Sequence, residues 1–393
     1  MTIHNFSIEY DAINSNNLFT NGDTINGRII LEVSKEIKIQ ALVFIAQGEA
    51  RVCWHEQYGQ YVTMVYTSKD KYYSVEHNIL RETRHDDADI GPGRHVFPFS
   101  FKIPDRKMPS TFKSSVGKIV HKLKAELKQS MKITKTAKTH FTFVSQADMD
   151  IPGLLEPQYG CKDKTISAFG SGTVAIDVST ERLGYWQGNL FIQYFSRQNT
   201  FSFTCQSGQG EVLQVTAEIK NQSSRMVKPK LVLYKKKSYF AEGKRRMNTS
   251  DILKEKCDPV ESGSNKTVTK SITIPKELPP SILNCSIIKL EYRLKILLDI
   301  TCSSNPEIKL PIVVLPEQNS HTDMNKHSAK LKGFEASAQP SPQNIYHPPV
   351  QALDQPIQSS AQPQPAAAAD SDPPSYGSLY PSYPHTDQNW SQF

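Results

Sequence analysis

Lys118-Ile119-Val120-His121-Lys122-Leu123-Lys124-Ala125-Glu126-Leu127 decides the fold, and it admits two readings. Ile119, Leu123 and Leu127 make a helical i, i+4 row. Ile119, His121, Leu123, Ala125 and Leu127 equally make one face of a strand, with Val120, Lys122, Lys124 and Glu126 on the other. An internal repeat settles the matter. At a fixed offset of 171 residues, Ile103-Pro104 matches Ile274-Pro275, Pro109-Ser110 matches Pro280-Ser281, and Leu123-Lys124 matches Leu294-Lys295. Ile119 falls over Leu290 and His121 over Tyr292. The second copy alternates apolar and charged residues from Ile288 to Ile296, which is the period of a half-buried strand. Each copy therefore predicts a strand ending at Ile-Pro, a Pro-Ser corner, and a further strand. The proline ends the ladder because it has no N–H to give.

Outward from this stretch the chain reads as short strands. Runs rich in β-branched residues occupy 24–33, 37–45, 61–66, 95–103, 172–178, 212–220, 229–234, 267–274, 287–300 and 307–314. Turn residues such as Asn21-Gly22-Asp23, Gly91-Pro92-Gly93 and Glu261-Ser262-Gly263 separate them. Many short strands at this spacing predict an all-β chain of immunoglobulin-type sandwiches. The repeat makes them two in tandem, 1–148 and 165–318. A joint is expected over 149–164, where Pro152, Gly153, Pro157 and Gly160 cluster.

Composition excludes several functions. The chain of 393 residues has 38% hydrophobic residues, and 11 of its 25 prolines follow Ser337. The segment 319–393 is dominated by Pro, Gln, Ala and Ser, too poor in apolar surface to offset the entropy of ordering, and is expected to be disordered. The residues before it carry 43 basic against 33 acidic side chains. That is a modestly basic body, without the dense stripe of a nucleic-acid binder. No stretch approaches the ~20 apolar residues of a membrane span, and 1–14 does not read as a signal peptide. The six cysteines lie at least 17 residues apart with no Cys-x-x-Cys, so neither a zinc module nor a redox dithiol is expected. No His-Glu-x-x-His and no Gly-x-Ser-x-Gly occurs. We expect no enzyme, no metal and no cofactor.

The sharpest functional signal is Asp372-Pro373-Pro374-Ser375-Tyr376. Two consecutive prolines hold polyproline II without an ordering cost at binding, and WW domains dock such segments in aromatic grooves. Pro373 and Pro374 would stack on the groove, Tyr376 would enter a separate pocket, and Ser375 would point away. Tyr380-Pro381-Ser382-Tyr383 lacks the first proline and is an auxiliary candidate through Pro381 and Tyr383. A second candidate surface is the basic side of the deciding strand, Lys122, Lys124 and Lys128, which suits acidic cargo segments or anionic lipid.

Several stretches resemble a known family. Gly93-Arg94-His95-Val96-Phe97-Pro98-Phe99-Ser100-Phe101-Lys102-Ile103-Pro104 is similar to the G-x-H-x-F-P-F-x-F-x-I-P stretch of the alpha-arrestins. Pro109-Ser110-Thr111-Phe112 and the deciding strand continue the likeness. So do Glu181-Arg182-Leu183-Gly184-Tyr185, Pro280-Ser281-Ile282-Leu283 and Leu310-Pro311-Ile312-Val313. The likeness covers about 3–316, and it points to the subgroup of vertebrate arrestin domain-containing proteins and thioredoxin-interacting protein. It implies two arrestin-like β-sandwiches acting as an adaptor. The adaptor would hold a membrane receptor or transporter as cargo while the Pro-Pro-x-Tyr motif recruits a WW-bearing HECT-type ubiquitin ligase, promoting ubiquitination, endocytosis and endosomal sorting. The implied location is cytoplasmic, with recruitment through partners to the plasma membrane and endosomes. The alternative it implies is a redox or metabolic regulator of the thioredoxin-interacting type, acting through Cys257.

The chain departs from the family at one place. Family members run from Gly-Tyr-x-x-Gly directly into a strand beginning with Glu. Here Gly184-Tyr185-Trp186-Gln187-Gly188 is followed by 22 further residues, 189–210, before Glu211-Val212-Leu213. Gly188-Asn189 is encodable with a splice-donor-like GTAA, Phe201-Ser202-Phe203-Thr204-Cys205 requires pyrimidine-rich codons, and Gln209 can be CAG. We read 189–210 as an atypical insertion of retained-intron or gene-model origin rather than a designed loop.

Overall fold

A computed structural model describes residues 2–80, 88–167, 171–187, 211–301 and 303–317, together with the backbone of 191–195 and 200–204. Among these there is no helix. The first sandwich contains β1 (Ile3–Tyr10), β2 (Leu18–Phe19), β3 (Thr24–Val33), β4 (Ile37–Ile39), β5 (Ala41–Tyr58), β6 (Val62–Asn78), β7 (Ala88–Ile90), β8 (Gly93–Lys102), β9 (Phe112–Lys113), β10 (Gly117–Lys128) and β11 (Lys135–Phe143). A three-stranded sheet, β1-β3-β8, faces a larger one of order β2-β11-β10-β5-β6 with β9 added beside β10. Between them lie Ile29, Leu31, Leu42, Phe44, Phe101, Leu123, Ala125 and Phe141.

The second sandwich contains β12 (Gln158–Thr165), β13 (Gly172–Thr180), β14 (Gly184–Trp186), β17 (Val212–Ser223), β18 (Val227–Ala241), β19 (Lys244–Lys256), β20 (Ser264–Thr273), β21 (Ile288–Ile300) and β22 (Glu307–Leu315). Between β14 and β17, β15 (Phe191–Phe195) and β16 (Thr200–Thr204) pair with each other as a two-stranded sheet. The two sheets are β12-β13-β17-β20 and β14-β22-β21-β18-β19. The all-β double sandwich agrees with the sequence reading.

The deciding stretch is a strand. In β10, Ile119, His121, Leu123, Ala125 and Leu127 are all buried, while the residues between them face outward. Its copy β21 shows the same alternation. The repeat also turns out to be a repeat of hydrogen bonds. The Ile103 N–H donates to the Asp23 carbonyl at 2.8 Å, and the Ile274 N–H donates to the Glu211 carbonyl at 2.8 Å. The Ser110 and Ser281 hydroxyls each accept a backbone N–H from the last strand region of their own domain, Ser145 and Val314, at 2.9 Å. His121 Nε2 lies 3.3 Å from the Pro109 carbonyl, and the Tyr292 hydroxyl donates to the Pro279 carbonyl at 2.6 Å. Each Pro-Ser corner is thus pinned to the sandwich by one buried polar ring and one serine. A carbonyl only accepts, so His121 Nε2 carries the proton and Nδ1 accepts from the Tyr73 hydroxyl at 3.1 Å. Burial pushes the His121 imidazole down to about 4 against the pull of the Pro109 carbonyl, so the ring is neutral at pH 7. Gly48 makes room for the pair, since a Cβ there would sit 2.4 Å from the Tyr73 ring.

The joint is shorter than the expected 149–164. Gln158–Thr165 is strand β12, paired along its length with β13. It is a polar edge strand with no buried face, so the sequence carries no alternation to announce it. What remains of the joint is tied back to the first sandwich by Lys107, whose ammonium pairs with Asp148 at 2.7 Å and Asp150 at 3.0 Å.

The two sandwiches share a core. The apolar cluster of the second extends through Tyr239, Ile288 and Cys285 to Ala50, Val52, Trp54, Tyr66, Phe112 and Ile119 of the first. Polar contacts frame this junction. The Tyr239 hydroxyl donates to Ser114 Oγ at 2.9 Å, Ser286 Oγ donates to Asp70 at 2.6 Å, and the Tyr72 hydroxyl donates to Cys285 Sγ at 3.0 Å. Gly117 stands at the closest approach, where a Cβ would meet Val52, Tyr239 and Ile288 within about 3 Å.

Candidate functional site

The outer face of the larger sheet of the first sandwich gathers the candidate residues that the structure describes. Strand alternation places Lys118, Val120, Lys122, Lys124 and Glu126 on that face of β10. The register then lines up neighbours from other strands. Lys118 stands directly opposite Lys113 of β9 on one side and Arg51 of β5 on the other, and Arg51 stands opposite Lys69 of β6. Two residues further along the same strands, Val120 is opposite Glu49, and Glu49 is opposite Lys71. Lys122 and Lys124 are opposite His140 and Lys138 of β11.

Glu49 organises the centre of this face. Its carboxylate is 1% exposed. It receives Lys122 Nζ at 2.9 Å, Arg51 Nη2 at 2.7 Å, Lys69 Nζ at 3.1 Å and Gln47 Nε2 at 3.2 Å. Burial pushes the acid up, but the hydrogen bonds from Lys122 and Lys69, with the charges of Lys122 and Arg51, outweigh it and hold the group at about 2. Nearby, His140 is pushed down first by partial burial and then by the charges of Lys122, Lys138 and Lys118. That imidazole senses a positive field.

The three lysines expected to form the contact face therefore have different standing. Lys122 is committed to Glu49 and is only 18% exposed in its side chain. Lys124 pairs with Glu126 on its own strand. Lys128 is exposed at the end of β10, where its carbonyl accepts the Gln40 N–H at 2.9 Å. Pro373, Pro374, Ser375 and Tyr376, with Pro381, Tyr383 and the expected disordered tail, lie outside the described residues.

Sequence reasoning missed Glu49, Arg51, Lys69 and Lys113. Each is unremarkable in its own segment, and only cross-strand register brings them to Lys118 and Lys122.

Cys257 does not have the setting of a reactive thiol. It is buried, its backbone N–H donates to the Pro229 carbonyl, and burial pushes its thiol up rather than down. Cys285 is buried at the domain junction, whereas Cys53 and Cys161 are exposed. Brief alkylation of the native chain at neutral pH, read by mass spectrometry, should therefore modify Cys53 and Cys161 well before Cys257 and Cys285. Equal or faster labelling of Cys257 would contradict this setting.

At the mouth of the insertion, the Glu211 carboxylate accepts the Trp186 backbone N–H at 2.6 Å and pairs with the Arg182 guanidinium, which also lies over the Tyr185 ring. Gln187 bonds through its N–H to the Leu315 carbonyl and through its side chain to the Leu278 carbonyl. The two flanks of 189–210 are thus fastened to each other and to the sandwich.

Two family models match the chain. The one described as Arrestin (or S-antigen), N-terminal domain, covers residues 6–150. The one described as Arrestin (or S-antigen), C-terminal domain, covers residues 208–319, beginning just before Glu211. Arrestin domain-containing protein 4 of Homo sapiens is 28% identical over 305 residues, spanning 75% of this chain and 68% of that protein. The Mus musculus protein of the same name is 27% identical over 309 residues, spanning 76% and 69%. Thioredoxin-interacting protein of Homo sapiens is 24% identical over 305 residues, spanning 76% and 71%.

Proposed function

This chain belongs to the arrestin family, in its alpha-arrestin branch, and from that footing we propose that it is an adaptor bringing a WW-bearing HECT-type ubiquitin ligase to a membrane receptor or transporter. The family's proteins are non-enzymatic adaptors. The chain itself would make no covalent bond. It would raise the ligase's effective concentration at the cargo's lysines, promoting ubiquitination, endocytosis and endosomal sorting at the plasma membrane and endosomes.

The observation that carries this reading is Pro373-Pro374-Ser375-Tyr376 on a chain whose body is an arrestin double sandwich. A proline pair pre-set in polyproline II followed two positions later by tyrosine is the pattern a WW groove takes. The redox alternative through Cys257 draws no support from a buried thiol with a raised pKa.

Titration calorimetry of the full chain against a panel of isolated WW modules tests the proposal. Heat of binding is expected for at least one module and should be largely lost for Tyr376→Ala, with loss of cargo ubiquitination in cells. A wild-type chain that gives no heat with any module, or a Tyr376→Ala chain that binds as well as wild type, would defeat it. The weaker site at Pro381 and Tyr383 should retain little binding alone.

A further inference from the structure

We propose that the outer face of the β10–β5–β6 sheet docks directly on an anionic lipid surface, through a row of cations formed by Lys113, Lys118, Arg51 and Lys69. This rests on the adaptor reading for its setting, but it adds a contact that needs neither ligase nor cargo.

The row follows from the register. Lys113 is opposite Lys118, Lys118 opposite Arg51, and Arg51 opposite Lys69. At about 4.8 Å between neighbouring strands, four cations stand in a line roughly 14 Å long. Like charges placed directly opposite one another weaken a sheet. Only Arg51 and Lys69 are relieved, and both lean on the single carboxylate of Glu49, which Lys122 also uses. Among the described residues, Lys113 and Lys118 have no ion-pair partner, nor do Lys71 and Lys138 on the same face. The face therefore keeps a surplus of positive charge.

The shape of the surplus selects the partner. An extended acidic peptide would match one row. Here the unpaired cations spread in two dimensions, from Lys113 and Lys118 at one end of β10 past Lys71 of β6 to Lys138 of β11. A spread of flexible ammonium groups on the face of a sheet complements a plane of anionic headgroups, at about 1 kcal/mol per basic residue near the surface. The same β5–β6 hairpin ends in Tyr58, Tyr61 and Val62, all exposed, with Tyr61 at 93%. Aromatic side chains with a polar tip suit the headgroup layer.

The test is co-sedimentation of the full chain with vesicles of phosphatidylcholine alone or with a third phosphatidylserine. We expect binding to the anionic vesicles only, released by high salt. Lys113→Glu with Lys118→Glu should weaken it at least about tenfold. Lys220→Glu with Lys276→Glu, which changes net charge equally on exposed positions of the second sandwich, should keep most of it. The neutral pair Lys113→Gln and Lys118→Gln repeats the measurement should the charge reversal impair folding, which thermal unfolding will report. Equal binding to neutral vesicles, equal loss in the two charge-reversed variants, or full binding by both Lys113/Lys118 variants would overturn the proposal. So would a wild-type chain that ignores vesicles yet binds polyglutamate through the same lysines, which would mark the face as a peptide dock. Calorimetry with WW modules should be unchanged in all these variants, so a failure here is distinct from a failure of ligase recruitment.

Discussion

Glu49→Ala should lower the stability of the folded chain at pH 7 by about 3 kcal/mol, and the deficit should close on acidification. The carboxyl is held at about 2 in the folded chain against an ordinary value of 4.5. At roughly 1.4 kcal/mol per pH unit of difference, ionised Glu49 contributes about 3 kcal/mol. That is a large share of a typical stability of about 5–15 kcal/mol. Because the folded value is depressed, the contribution is complete above pH 4.5 and is lost as the pH falls toward 2. Urea unfolding of wild type and Glu49→Ala at neutral pH and at steps below 4.5 should show two curves converging. A gap that stays constant with pH would mean that Glu49 acts through packing alone. Glu49→Gln should resemble Ala in its loss of pH dependence while keeping the side chain's volume. The exposed ends of Arg51 and Lys69 can turn to water when the carboxylate is removed, whereas Lys122, 18% exposed, cannot do so fully. Lys122→Met added to Glu49→Ala should therefore recover part of the loss.

The sequence made legible whatever carries a buried face. β3 at Thr24–Val33 was readable to the residue, and β10 and β21 were readable because apolar and charged residues alternate through them. The repeat was readable for a further reason. His121 and Tyr292 occupy the same place because each delivers a hydrogen bond to the backbone at the Pro-Ser corner, so alignment at 171 residues was an alignment of function within the fold. The edges stayed hidden. β19, Lys244-Arg245-Arg246-Met247-Asn248 and onward, is exposed nearly throughout, and an exposed edge strand has no period for a core to impose. β12 reads as a joint in the sequence on the same ground. The cationic row was hidden by a different cause. Lys113, Lys118, Arg51 and Lys69 come from four strands, and pairing register is set by the whole sheet rather than by any local pattern. The lysines visible in one segment, Lys122 and Lys124, proved to be the ones whose charge is already answered.

Removing residues 189–210, so that Gly188 runs into Glu211, should leave the chain as stable as before or more so, whereas Arg182→Leu should cost about 3–5 kcal/mol. The contrast follows from the bonds at the mouth of the insertion. Glu211 caps the Trp186 N–H at 2.6 Å and meets the Arg182 guanidinium, so the residues on either side of the 22-residue excursion are already joined through side chain and backbone. Its carbonyl also receives the Ile274 N–H, the bond that Asp23 makes with Ile103 in the first sandwich. Glu211 thus belongs to the repeated framework, and the insertion enters between it and its partners without replacing either. Closing a loop of that length costs about 2–3 kcal/mol of chain entropy, most of which a direct turn avoids. Arg182 is the opposite case. Burial pushes the Glu211 acid up, and the Trp186 N–H and the Arg182 charge hold it back. Without the guanidinium, a 6% exposed carboxylate keeps one donor, and either stays charged at a high cost or takes up a proton. Unfolding of Arg182→Leu should accordingly be least impaired at acid pH, where Glu211 is neutral, and most impaired above pH 7. A deletion variant that unfolds well below wild type would show that 189–210 is part of the sandwich. An Arg182→Leu chain as stable as wild type would remove the ion pair from the framework.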